Sequence, residues 1–132
     1  MEKVKTVSLG EINKVTGQVV DSAIKVHSLM GPGLLESVYE HCLAHELSLR
    51  NVKSERQVPI PVVYKGAELG IGFRIDLLVA ESLIVELKAV EQILPIHEAQ
   101  VYTYLRLTKS RVGLLLNFNV VSMKKGIKRI IL

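Results

Sequence analysis

Cysteine occurs once in this chain, at Cys42, and tryptophan does not occur at all. A lone thiol cannot close an internal disulfide, which excludes a disulfide-stapled scaffold and fits a reducing, cytoplasmic setting. No apolar run approaches the roughly 18 residues that a membrane-spanning helix needs. The start, Met1-Glu-Lys-Val-Lys5, leads into mixed polar sequence rather than an apolar signal core, which argues against secretion. Four tyrosines and two phenylalanines are the only aromatics, and no recognition helix is visible for reading base edges. The glycines near Gly31 and Gly70 lack the GxGxxG and GxxxxGK(S/T) spacings, so no mononucleotide-binding loop is indicated. His41 and His45 have the spacing of helical zinc ligands. They lack the glutamate of an H-E-x-x-H motif and a third ligand nearby.

Acidic residues also disappear after Glu98, while Arg106, Lys109, Arg111, Lys124, Lys125, Lys128 and Arg129 all follow it. With a net charge of +4, this basic C-terminal third suits a polyanion such as nucleic acid. Lys124, Lys125, Lys128 and Arg129, together with Arg74, are candidate phosphate contacts. The alternative is a solubilising surface. A hydrophobic content of 48% with 23% charged residues describes a globular chain, read as one domain over residues 1–132.

Ser8 and Glu11 form a capping box, and Ile12, Val15, Val19, Ala23 and Val26 recur at helical spacing to about Leu29. Gly31-Pro32-Gly33 breaks that helix, and a second covers about Leu34 to Arg50. Gln57 to Tyr64 alternates as a strand, which Pro59 and Pro61 confine to an edge. An apolar hairpin, Ile71 to Lys88, turns at Ala80-Glu81-Ser82. Pro95 opens a third helix to about Thr108. Val112 to Phe118 reads as a buried strand and Ile127 to Leu132 as a last, exposed one that offers an edge to a second subunit. The order predicts an α/β or α+β domain built on a mixed sheet flanked by helices.

The hairpin carries the chemistry. A buried, unpartnered carboxylate costs several kcal/mol, so mid-strand acids imply a partner or a metal. Alternation puts Arg74, Asp76 and Leu78 on one face, with Ile71, Phe73, Ile75 and Leu77 on the other. A turn centred near Glu81 sets Asp76 across from Glu86 and Arg74 across from Lys88. Two carboxylates and a lysine then share one patch, the arrangement of a divalent-metal site. Salt bridges from Arg74 and Lys88, with no metal, are the rival reading.

At about 100° per residue, Glu36 on the second helix lies between Leu43 at about −20° and Leu47 at about +20°, near Tyr39 at about −60°. Glu40 falls with Ser37, His41, Ala44 and Ser48, taken as the polar side. Glu36 is thus either a core-facing third carboxylate or an edge residue reaching solvent. On the third helix His97, Gln100 and Tyr104 lie within about 60° of one another. Gln100 and Tyr104 could order a water, contact phosphate or satisfy buried backbone.

Asp76 and, ten residues later, Glu86-Leu87-Lys88 on antiparallel strands resemble the PD-(D/E)xK nuclease superfamily. Gly33-Leu-Leu-Glu36-Ser-Val-Tyr39 matches the signature of its GxxExxY family, and Gln100, Tyr104, Asn117-Phe118 and Gly126-Ile-Lys-Arg129 are similar to it as well. Ile75 stands where the superfamily name has proline. The resemblance implies a restriction-endonuclease-like core in which Asp76 and Glu86 bind Mg²⁺ or Mn²⁺. It also implies that Glu36 completes the metal environment, Lys88 stabilises the transition state or positions water, and Gln100 assists from the following helix. The activity so implied is phosphodiester hydrolysis in DNA or RNA, with a catalytically silent binding module as the alternative.

Overall fold

A computed structural model describes residues 3–132. Helix α1 spans Leu9–Met30, and the Ser8 hydroxyl accepts a hydrogen bond from the Glu11 amide at its start. Gly31 ends it with φ of 72°, in the left-handed region that favours glycine, and its N–H bonds the His27 carbonyl at 2.8 Å. Helix α2 is Glu36–Leu49. Strands β1, Ser54–Tyr64, and β2, Ala67–Val79, form a long ribbon, and β3 is Leu83–Lys88. Helix α3, Pro95–Thr108, carries proline in its first turn. Strand β4, Val112–Asn117, a short 3₁₀ turn at Met123–Gly126 and β5, Ile127–Ile131, complete the chain.

The strands lie in the order β1-β2-β3-β4-β5, antiparallel throughout except for the parallel pair β3 and β4, which α3 connects. This is the expected mixed sheet of an α+β domain, with proline-bearing β1 at one edge and β5 at the other. Helices α1 and α2 pack Val19, Ala23, Leu43 and Leu47 against Leu77, Val85, Leu114 and Leu116. Helix α3 packs Val101 and Leu105 against Leu78, Ile84 and Leu115 on the opposite face. The β3–β4 strands, covered on both sides, are therefore almost wholly buried.

Two expectations about the hairpin differ in the structure. Both strands of the ribbon begin earlier than their apolar alternation, over Ser54–Arg56, which is polar, and Ala67–Gly70, which is exposed throughout. The shared face of Phe73, Ile75 and Leu77 also breaks. Ile75 and Phe73 join the α3 side, whereas Leu77 packs under α1 and α2. The break falls at Asp76.

The turn itself sits where expected, with Val79 opposite Leu83. Ala80 and Glu81 adopt φ of 51° and 59°, the left-handed pair whose twist matches an antiparallel hairpin. This conformation is held from outside. The Ala80 amide bonds the Lys53 carbonyl at 2.8 Å, the Lys5 amide bonds the Glu81 carbonyl at 2.7 Å, and the Glu81 carboxylate pairs with Lys5 and Lys53. Those two ammonium groups, by hydrogen bond first and charge second, hold the Glu81 carboxyl down at about 2.

Candidate active site

The β2–β3 ladder runs from Val79↔Leu83 to Leu77↔Val85 and ends there. One step further, side chains take over the lacing of the two strands. The Asp76 amide donates to Glu86 Oε1 at 3.2 Å, and the Leu87 amide donates to Asp76 Oδ2 at 3.0 Å. The β1–β2 register skips the same level, passing from Arg56↔Leu77 to Val58↔Ile75. Asp76 thus occupies a gap in main-chain pairing on both sides of its strand. Its skipped neighbour, Gln57, has φ of 54°, unusual for a non-glycine residue inside a strand.

Glu86 is 4% exposed. Burial, then the charge of Asp76, pushes its carboxyl up to about 9, while the Asp76 amide and the Lys88 ammonium pull weakly the other way. No salt bridge reaches Asp76 or Glu86 among the described residues. Arg74, the partner in the rival salt-bridge reading, is exposed and donates to the Gln57 carbonyl at 3.3 Å. Two neighbouring acids, one buried and one half-buried, with no salt bridge among the described residues form a place that a divalent cation can neutralise.

Lys88 is half-buried, and its Nζ donates to Gln100 Oε1 at 3.4 Å. Gln100 Nε2 donates to the Tyr104 hydroxyl at 2.9 Å, and the Tyr104 ring stacks on Phe73 with centroids 4.3 Å apart. Gln100 and Tyr104 therefore form a side-chain relay to Lys88 rather than satisfying buried backbone. Burial, reinforced by the nearby Glu86 charge, raises the Tyr104 hydroxyl above its ordinary pKa. His97 turns away to cap α3, its Nδ1 accepting from the Leu94 amide at 2.9 Å.

Helix α2 brings Glu40, not Glu36, into contact with the sheet residues Arg56 and Gln57. Glu36 is exposed on the first turn, so of its two readings the edge residue reaching solvent holds and the core-facing one is corrected. Glu40, one turn later, is 5% exposed and accepts from Gln57 Nε2 at 2.6 Å and Arg56 Nε at 3.0 Å. Gln57 Nε2 also lies 3.4 Å from Asp76 Oδ1, which links Glu40 to Asp76 through one amide. The same angular count places Glu40 about 40° from Glu36, inside the buried arc with Leu47; its charge, not its angle, set it aside. Gln57 carried no comparable signal, because nothing local marks a left-handed glutamine.

The other end of the site is fixed by Asn117, opposite Lys88 in the parallel register. Its amide pairs with both main-chain groups of Val90, at 2.9 and 3.1 Å, and so pins the segment between β3 and α3. Gly126 packs so closely that a Cβ there would stand 2.0 Å from the Asn117 carbonyl oxygen. On the α1–α2 side, Gly33 has φ of 98°, and Tyr39 stacks on Phe118 with centroids 4.5 Å apart. The Tyr39 hydroxyl donates to the Gly31 carbonyl and accepts from the Leu34 amide. Lys124 and Lys125 are exposed beside Gly126. Lys128 is engaged by Glu98 at 2.7 Å, and Arg129 donates to Asn13.

A family model of the PD-(D/E)XK nuclease superfamily matches residues 13–130. The chain belongs to that superfamily. The hairpin acids Asp76 and Glu86 and the Lys88 that follows stand in the order its name describes, with Ile75 in the proline position. Nucleases of this superfamily are generally divalent-metal dependent, and the membership points to nucleic acid as the ligand. No curated protein and no solved structure matches the chain. Among the described residues no helix is long and apolar enough to cross a membrane.

Proposed function

We propose that this protein hydrolyses phosphodiester bonds of DNA or RNA, with Mg²⁺ or Mn²⁺ held by Asp76 and Glu86. The observation that carries this reading is the acid pair at the interrupted ladder, Glu86 buried and Asp76 half-buried, without a salt bridge among the described residues. The ion-pair alternative needs Arg74 or Lys88 bonded to these acids, and neither is. No group of three His, Cys, Asp or Glu gathers there among the described residues. Two carboxylates suit Mg²⁺ nonetheless, since it binds through one or two of them and keeps several waters. When bound, the metal supplies an acidified water and Lewis-acid stabilisation of phosphoryl oxygens.

The chain's own residues do the rest. Asp76 is oriented by the Leu87 amide and Gln57, and Glu86 by the Asp76 amide. Lys88 presents a cation two residues from Glu86, where negative charge develops on the phosphoryl group, and Gln100 with Tyr104 steadies it. Glu40, acting through Gln57, takes the supporting part first assigned to Glu36. We place the chain in the GxxExxY branch on Gly33, Glu36 and Tyr39, two of which shape the α1–α2 loop. Exposed Arg74, Lys124 and Lys125 are available for phosphate contacts, whereas Lys128 and Arg129 are engaged within the chain.

The test is a panel of labelled single- and double-stranded DNA and RNA incubated with Mg²⁺, Mn²⁺ or EDTA. Cleavage by wild type, dependent on metal and lost in Glu86→Ala, is expected. Equal degradation by both proteins sinks the nuclease reading. Binding without cleavage under every metal returns the silent module instead.

A further inference from the structure

The β1–β2 ribbon outgrows the sheet that bears the site. Strand β3 pairs with β2 only over Leu77–Val79, so the β2 edge from Ala67 to Ile75 has no strand beside it opposite β1 among the described residues. On this projecting ribbon Val63, Tyr64, Leu69 and Ile71 are between 51% and 70% exposed. A long open edge with apolar side chains is a template for pairing with another strand. The ribbon is also bulged. Between Pro61↔Gly72 and Val63↔Glu68, β2 spends three residues, Leu69 to Ile71, against Val62 alone. Gly70 takes φ of 73° there, and these residues lack register partners in β1.

The segment's own sequence indicates what covers it. Glu68-Leu-Gly-Ile71-Gly-Phe-Arg74 is self-complementary about Ile71: glycines at one step, apolar residues at two steps, and opposite charges at three. Laid antiparallel on a second copy, it sets Glu68 against the partner's Arg74 and Leu69 against the partner's Phe73. Gly70 faces the partner's Gly72, and Ile71 meets the partner's Ile71 on the two-fold axis. Glu68 and Arg74 have no salt bridge within the chain among the described residues. A parallel arrangement would bring like charges together, which destabilises cross-strand pairs. We infer that a second copy of this chain docks on β2 about Ile71, giving an isologous dimer joined through its ribbons, in which Arg74 meets the partner's acid rather than a phosphate.

Size exclusion with light scattering at about 100 µM tests this against the 14.7 kDa monomer. The wild type is expected at twice that mass. Glu68→Arg and Arg74→Glu should each fall to monomer, and Glu68→Arg/Arg74→Glu together should recover the dimer. Ile71→Asp should be monomeric yet still melt in one cooperative transition, since Ile71 lies outside the core. In a Cys42→Ala background, Ile71→Cys should cross-link on oxidation and Gly66→Cys at the tip should not. A monomeric wild type, single reversals that keep the dimer mass, or a folded double reversal that stays monomeric each overturn the proposal. So does a dimer that Ile131→Asp breaks and Ile71→Asp leaves intact, which moves the interface to β5.

Discussion

Replacing Glu86 by glutamine should stabilise the metal-free protein at neutral and alkaline pH while abolishing the proposed metal-dependent cleavage. The side chain keeps its length and still offers an oxygen to the Asp76 amide. What it loses is the need to be protonated. With its folded pKa raised from 4.5 to about 9, Glu86 binds a proton in the folded state that the unfolded chain releases. The stability from this group is fully present below 4.5 and is lost as pH rises through 9. Over that window wild-type stability should fall by about 1.4 kcal/mol per pH unit more steeply than that of Glu86→Gln. At about pH 7.5, three units above the unfolded value, the accumulated difference is about 4 kcal/mol. Urea denaturation in EDTA, repeated from about pH 5 to 9, measures both slopes. Adding Mg²⁺ should stabilise wild type more at high pH than at low, and leave Glu86→Gln nearly unmoved. Parallel pH slopes for the two proteins would refute the account of Glu86 as a buried acid lacking a counter-cation.

Three further substitutions test the supports. Gln57→Ala removes the amide between Glu40 and Asp76, and should reduce the Mg²⁺-induced rise in melting temperature while costing about 1–2 kcal/mol in denaturant titrations. A wild-type metal response in that variant would remove Gln57 from the site. Tyr39→Phe leaves the Gly31 carbonyl and Leu34 amide without their partner and should lower stability by about 1–3 kcal/mol, read as a fall in melting temperature. Gly126→Ala forces a methyl group onto the Asn117 carbonyl and should destabilise by about 2–4 kcal/mol in the same melts.

The hairpin was legible because its two acids break an apolar pattern, and the turn that sets their pairing is local. The fold class followed from element order, and the prolines of β1 marked an edge. Helix α2 was harder. An angular count gives direction about the axis but not how far a residue lies along it, so Glu36 and Glu40 shared an arc while only Glu40 met the sheet. Treating a carboxylate as polar by type hid the one that Arg56 and Gln57 make tolerable in the core. The exchange of faces at Asp76 was invisible for a related reason. Strict alternation assumes an unbroken ladder, and this ladder is broken where Asp76 and Glu86 replace main-chain partners with carboxylates. Tertiary pairing likewise decided which basic residues stay available, since Glu98 claims Lys128 from another element.

The Ala80–Glu81 turn also limits how this protein can evolve. One register fixes both the apolar layers and the placement of Asp76 against Glu86, so inserting or deleting a single residue between them would exchange acid for core. The acid pair cannot drift along the sheet by small steps. Variation must instead accumulate in parts outside that register: the ribbon beyond Gly72, the segment from Ala89 to Leu94 and the basic stretch before β5.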